Sequence, residues 1–315
     1  MRAALVATVR NEASRIDEFL ASLERQTRTP DAIVVTDGGS TDDTPQRLAA
    51  FAARTKLPFR WSSVPGNRSK GRNAAIRIAE ADLIAVTDVS VLDPSWFERI
   101  LAPLERGEAD IVAGWYELLV ETPKERAVGL LTQYSLDQVR PETFLPSSRS
   151  VAFTKKAWEK AGGYPEDLAT TEDTVFDLRL RQAGCRFVFE PQAIVRWRPA
   201  TTAATAYRMY RQFAESDGQA GIFLASYSRY GFVYGAYAAG LLLLILGILW
   251  WPLWVLLLVG GITYVLFRIR KVVRVALWSQ IPYAIVVGFA LDAAMLTGYV
   301  RGRLEARNLR RAASA

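Results

Sequence analysis

Three acidic positions sit where a carboxylate could do chemistry. Asp37 precedes Gly38 and Gly39, Asp88 follows the apolar run 83–87, and Glu172–Asp173 follow Thr170 and Thr171. Each also has a plainer use. Asp and Gly are common turn residues. A strand-end Asp can cap the helix expected to open near Pro94, and Thr followed by acids suits a helix start. The sequence has no histidine and one cysteine, Cys185. That excludes a Ser-His-Asp triad, a Cys-His pair, an imidazole acid or base, an internal disulfide and a zinc ribbon. Acid–base chemistry falls to carboxylates, lysine, tyrosine or bound water. The segment Gly66-Asn-Arg-Ser-Lys-Gly-Arg-Asn73 has the two glycines of a P-loop. It places Arg72-Asn73 where Lys-Ser or Lys-Thr is required, so a P-loop triphosphatase is excluded.

These residues must be positioned by regular elements. Half of the 315 residues are apolar and 23% are charged, which fits a folded chain rather than a disordered one. The continuous apolar run 3–9 predicts a strand buried on both faces. Ser14 is the expected cap of a helix whose Ile16, Phe19, Leu20 and Leu23 share one face. Strand 32–36 follows, then a helix opened by Thr44 and Pro45. Further strands are expected at 59–62, 83–87 and 110–115, with helices at 70–80, 94–104 and 172–183. Such alternation implies an α/β fold with a mixed, mainly parallel sheet and helices on both faces. Ligands in such folds bind beyond the carboxyl ends of the strands. The polar residues there are Arg10, Asn11 and Glu12; Asp37, Gly38 and Gly39; and Asp88 to Ser90.

The runs Ala7-Thr-Val-Arg-Asn-Glu12, Ile33-Val-Val-Thr-Asp-Gly-Gly-Ser-Thr-Asp42, Thr87-Asp-Val-Ser90 and Thr171-Glu-Asp173 occur in this order. In motif and spacing the region 3–215 resembles the family 2 nucleotide-sugar glycosyltransferases of GT-A fold. The resemblance implies that Asp37 binds the nucleobase and that Thr8, Asn11 and Glu12 line the same pocket. It places Lys70, Arg72 and Asn73 near the donor, although a solvated basic helix start explains them too. It assigns Asp88 to a divalent cation, Mg²⁺ or Mn²⁺, on the donor diphosphate. It makes Asp173, beside Glu172, the base that deprotonates an acceptor hydroxyl for inverting attack. It sets Ser148 and Arg149, in Pro146-Ser-Ser-Arg149, on the acceptor side. Arg196 and Arg198 are expected with them on the acceptor side; facing the diphosphate and a charged strand end are the other readings of this pair. Two departures stand out: Gly38 replaces the family's second acid after Asp37, and Ser90 replaces the second acid after Asp88. Serine is the weaker metal ligand, and Asp93 is the acid close enough in sequence to assist. The run Gln192-Ala-Ile-Val-Arg-Trp197 misses the Gln-x-x-Arg-Trp signature of processive members by one residue, which favours single transfer over polymer synthesis.

The last third reads differently. Residues 230–267 contain no charge. One helix of that length would run about 57 Å, against a hydrocarbon core of roughly 30 Å. Two spans fit, turning at Trp250, Trp251 and Pro252. A third apolar stretch, 275–300, is interrupted by Gln280, Pro282 and Asp292. It either crosses fully or lies at the interface, which would keep both flanking basic clusters on one side. The net charge of +7 concentrates there, in Arg268, Arg270, Lys271 and Arg274 and in the tail from Arg301 to Arg311. That is a juxtamembrane pattern, not a nucleic-acid footprint. The run 3–9 is too short for a signal peptide. The expected organisation is a catalytic domain over 1–202, a linker helix over 203–228 and a membrane region over 229–315. In the linker, Tyr207, Tyr210, Phe213 and Ala214 form a stripe for the membrane surface or for packing on the sheet.

The expected protein is a hexosyltransferase-type enzyme at a bacterial cytoplasmic membrane, its catalytic domain facing the cytoplasm. It takes a nucleotide-sugar donor and a lipid or lipid-linked hydroxyl acceptor. The alternatives are a polyprenyl-phosphate sugar synthase and a non-catalytic membrane scaffold that keeps the fold.

Overall fold

The computed structural model describes residues 1–222 and 228–313. By contact the chain divides into two compact units, Met1–Leu119 with Leu136–Arg198, and Val120–Ser135 with Pro199–Ala315.

In the first unit the apolar runs become strands. These are β1 (Ala3–Val9) and β2 (Ala32–Asp37), joined by α1 (Ile16–Glu24). There follow α2 (Thr44–Arg54), β3 (Phe59–Ser63), α3 (Arg68–Ile78), β4 (Leu83–Thr87), the short β5 (Val91–Leu92), α4 (Trp96–Glu105) and β6 (Ile111–Leu118). After α5 (Pro123–Thr132), which counts with the second unit, come β7 (Val151–Thr154), α6 (Lys155–Lys160), α7 (Glu172–Gln182) and β8 (Phe187–Trp197). They form one sheet in the order β3-β2-β1-β4-β7-β6-β8-β5. β1 to β4 run parallel, as do β6 and β8, while β7 is antiparallel to both neighbours and β5 to β8. Because side chains alternate along a strand, Leu5, Ala7 and Val9 enter the core under α1, α2 and α4. Ala4 and Val6 enter the core under α3, α6 and α7. This double burial is why β1 reads as an unbroken apolar run.

Three expected helix starts differ. Arg15, not Ser14, is the N-cap of α1, and no side chain caps it. The Glu12 carbonyl instead accepts the amides of both Arg15 and Ile16, each at 2.9 Å. Thr44 lies inside α2 and uses its hydroxyl on Asp42 and on the Glu12 amide. Thr171 precedes α7 in the left-handed region, φ 67°, and offers α7 no capping side chain.

The second unit holds α5, α8 (Ala203–Ala220), α9 (Ser228–Leu246), α10 (Pro252–Arg274) and α11 (Ile281–Ala313). Capping boxes of Thr122 with Glu125 and Thr202 with Thr205 start α5 and α8. The expected linker helix therefore ends at Ala220; of its last residues, 223–227 lie outside the described ones. Part of its stripe packs on α11. Tyr210 joins Val287, Leu291 and Ala294 of α11 in one core, and Ala214 joins Met295 in another. The two helices close to backbone distance at Gly302, whose missing Cβ would overlap the Glu215 carbonyl.

The chain turns at Trp250–Pro252, and Pro252 opens α10. α10 and the segment Trp278–Arg311 are long and apolar enough to cross a membrane, and Tyr230–Leu246 is a shorter apolar helix. α10 is almost wholly uncovered, whereas α11 is nearly half buried. α11 meets the hairpin near its open end. Asp292 takes Arg268 at 2.8 Å and the Tyr264 hydroxyl at 2.7 Å, with Tyr237 at 3.4 Å. Tyr299 packs on Tyr230 and Tyr234. The polar interruption of the third apolar stretch is thus the residue that ties three helices together.

Candidate active site

Two groups of side chains form at the carboxyl ends of β1, β2 and β4. The first surrounds Asp37, which is buried. Its carboxylate accepts the Ser40 amide at 3.1 Å and the Ser40 hydroxyl. Asn11, in the left-handed region at φ 55°, donates its amide to the Ser40 hydroxyl at 2.8 Å. Its Oδ1 accepts the Thr41 amide at 2.8 Å. The Glu12 amide reaches the Thr44 hydroxyl at 2.8 Å, and its carboxylate pairs with Arg15 at 3.0 Å. Burial raises the Glu12 pKa, and the nearby Asp88 charge adds to the effect. Gly39 turns the loop at φ 88°, a backbone open to glycine. Thr8 and Thr36 share a 2.9 Å hydrogen bond over which Gly71 of α3 passes. A Cβ on Gly71 would lie 2.5 Å from Thr8 Cγ2.

The second group joins β4, β7 and α7. Ser90 donates its hydroxyl to Asp88, and Arg149 Nε lies 3.3 Å from the other carboxylate oxygen. The Arg149 guanidinium sits over the Trp197 ring, 4.3 Å from its centre, and donates to the Ser147 hydroxyl at 3.1 Å. Asp173 opens α7. Its carboxylate accepts the Thr174 amide at 2.9 Å and, at 3.5 Å, the Ser148 amide. Burial raises its pKa and the Glu172 charge adds to that, while Arg72 and Arg149 oppose it. Glu172 takes a different part. It pairs with Arg72 at 2.5 Å, both side chains about 5% exposed. Burial works most strongly against its charge, but the Arg72 and Arg68 charges and its hydrogen bonds together outweigh burial, so its pKa is lowered. The helix start carrying Asp173 is therefore pinned through its neighbour to α3.

Other expected residues are used differently. Asn73 is buried and donates to the Tyr164 carbonyl at 2.9 Å and to Glu166 at 2.8 Å. Its Oδ1 accepts from Trp158 and from the Tyr164 amide. It is a hub of the 158–166 loop. Lys70 and Arg10 are exposed, Lys70 beside Gly66 and Arg10 beside Gly38. Arg196 lies 3.6 Å from Glu117 and 3.8 Å from Asp93, and Arg198 lies 3.1 Å from Glu18. Asp93 accepts the Ser95 amide and hydroxyl at the start of α4. Among the described residues no three acidic, cysteine or histidine side chains gather as a metal cage.

Two residues escaped the sequence reading. Arg68, first in α3, is close enough to bias both Glu12 and Glu172. Asp177 is buried one turn after Asp173, with Oδ2 lacking a hydrogen-bond partner. Burial, then the Asp173 charge, raises its pKa well above the ordinary value. The spacings 68/72 and 173/177 on one helix face were the available signals.

A mixed, mainly parallel sheet with acids at the carboxyl ends of its parallel strands, and a carboxylate pair opening a later helix, fits a GT-A fold. The sequence profile of Glycosyl transferase family 2 matches residues 5–144, and the chain carries a domain of that family. It is a nucleotide-sugar glycosyltransferase. The O-antigen chain rhamnosyltransferase WbaN of Salmonella anatum is 22% identical over 224 residues, covering 65% of this chain and 69% of that one. Solved structures share the fold. The mannosyltransferase PcManGT of Pyrobaculum calidifontis, in complex with GDP-Man and Mn²⁺, has TM-score 0.54 and 17% identity over 99% of this chain and 79% of that one. S. aureus TarS 1-349 in complex with UDP has TM-score 0.50 and 20% identity, covering 68% of this chain but only 64% of its own.

Proposed function

We propose that this chain is a membrane-anchored, inverting glycosyltransferase that moves a sugar from a nucleotide donor to a lipid or lipid-linked hydroxyl. The observation carrying the reading is Asp173, a carboxylate of raised basicity at a helix start, its oxygen 3.5 Å from the Ser148 amide and within reach of the charge of Arg149, which pairs with Asp88. Asp173 takes the acceptor proton as the acceptor oxygen bonds the anomeric carbon. The bond from that carbon to the diphosphate oxygen breaks, and attack opposite the leaving group inverts the centre. Asp37 and Asn11 hold the nucleobase end, and Arg149 faces the charge that grows on the diphosphate. Glu172 positions Asp173 through Arg72 rather than touching substrate. The donor set fits a divalent ion through one protein carboxylate, Asp88, with the remaining ligands coming from diphosphate and water. Mg²⁺ or Mn²⁺ there would neutralise leaving-group charge.

The uncovered apolar hairpin of α9 and α10 supports a membrane anchor. Its turn carries two tryptophans, and its open end carries Arg268, Arg270, Lys271 and Arg274, which suits a cytoplasmic base. α11, gathered on that open end, fits an interfacial helix with both basic clusters on one side. WbaN is bacterial and is named for an O-antigen chain, which supports a bacterial membrane and a lipid-linked sugar acceptor. The test offers purified full chain in lipid a panel of nucleotide sugars with membrane-extract acceptor, with and without Mg²⁺ or Mn²⁺. Nucleoside diphosphate release with a glycolipid product of inverted configuration is expected. A sugar phosphate product would instead establish the polyprenyl-phosphate synthase. No release with any donor would establish the scaffold.

A further inference from the structure

A cavity of about 620 Å³ opens between α9 and α11 in the second unit. Its floor is Tyr234 and Tyr299, the Tyr234 hydroxyl being fixed on the Leu296 carbonyl at 2.8 Å. Val300 and Leu304 form an apolar wall. Arg303, Arg307, Arg310 and Arg311 line it at helical spacing, and among the described residues no acid does. It lies where the apolar part of α11 ends and beside the first turns of α9, at the open end of the hairpin.

We propose that this cavity binds the headgroup of an anionic glycerophospholipid. Guanidinium forks match phosphate oxygens two at a time, which ammonium groups do not. The aromatic floor and apolar wall suit the glycerol and first acyl carbons. Basic pockets between apolar helices at the membrane surface take lipid headgroups. The nucleotide site is in the other unit and supplies none of these residues. The inference rests on the membrane reading above.

The test is native mass spectrometry of the full chain in mild non-ionic detergent. The additions are phosphatidylglycerol, phosphatidylcholine or inorganic phosphate. Wild type should retain phosphatidylglycerol over phosphatidylcholine. The triple variant Arg303→Gln, Arg307→Gln, Arg310→Gln should bind it roughly a hundredfold more weakly, at about a factor of five per cation. The corresponding triple Lys variant, which keeps the charge, should retain part of the affinity even if the Gln triple does not fold. Equal retention by a folded Gln triple, equal binding of phosphatidylcholine, or full displacement by inorganic phosphate would overturn the proposal. Carbonate washing of membranes separates the two readings. A chain that washes off defeats the anchor, and with it this site. A chain that stays in the membrane without selective phosphatidylglycerol binding defeats the site alone.

Discussion

Replacing Arg72 by leucine should destabilise the catalytic unit far more than removing the whole pair. The Arg72–Glu172 contact is 2.5 Å, and both side chains are about 5% exposed. At an effective dielectric near 20 the gross attraction is roughly 6–7 kcal/mol. Desolvating two ions consumes several kcal/mol for each, so the pair is worth little against an apolar substitute. Removing Arg72 alone strands a buried carboxylate and costs about 3–5 kcal/mol. At ~2–4 °C per kcal/mol for a unit of this size, melting falls by roughly 6–20 °C. The double variant Arg72→Leu, Glu172→Leu should regain most of that. The pH dependence has a definite sign. Glu172 has a lowered pKa in the fold, so the pair's contribution is present above the ordinary glutamate value and is lost as pH falls through the lowered one. The gap between wild type and Arg72→Leu should therefore narrow in acid. Thermal melts of the full chain with bound nucleoside diphosphate, at several pH values, measure all of this. A single variant melting within about 2 °C of wild type, or a double variant no better than the single, would refute the reasoning.

Three further outcomes follow from packing and charge. Gly71→Ala should push α3 off β1 and β2, because its Cβ would meet Thr8 at 2.5 Å and Thr36 at 2.8 Å. Nucleoside diphosphate titration should then show weaker binding, and denaturant unfolding should show a stability loss of about 1–3 kcal/mol. Asp177→Asn should stabilise the unit at pH 8 by about 1–3 kcal/mol, and melts should show the gain shrinking toward pH 4. A raised folded pKa means that wild-type stability is fully present below the ordinary aspartate value and is lost as pH rises through the raised one. Asp292→Asn should loosen the second unit by stranding Arg268, at about 3–5 kcal/mol. Adding Arg268→Leu to Asp292→Leu should restore melting in detergent.

The strand–helix alternation was legible because double burial leaves unbroken apolar runs, as in β1 and β2. The strand-end acids were legible because such sheets expose their carboxyl edge to ligands. Asp88 carries this logic furthest, lying one residue past β4. Tertiary partners were not legible. Asn73 looked like a donor contact because of its motif, yet its amide is occupied by a loop about ninety residues away. Nothing in the sequence named the carboxylates that pair with Arg196 and Arg198, Glu117 and Glu18, the latter about 180 residues away. The linker stripe had helical period, but periodicity cannot name the surface it meets, which is α11. Asp292 read as a flaw in an apolar stretch because its partners lie on two other helices.

The central claim is that Asp173 is the base. The most direct test compares wild type with Asp173→Asn in lipid, measuring turnover as nucleoside diphosphate release and, separately, nucleoside diphosphate affinity. The account predicts that kcat falls by about a hundredfold or more while affinity is unchanged. It also predicts that the wild-type rate rises with pH through a pKa above the ordinary aspartate value, and that this limb is absent in the variant. Turnover that survives the substitution with its pH profile intact would contradict it.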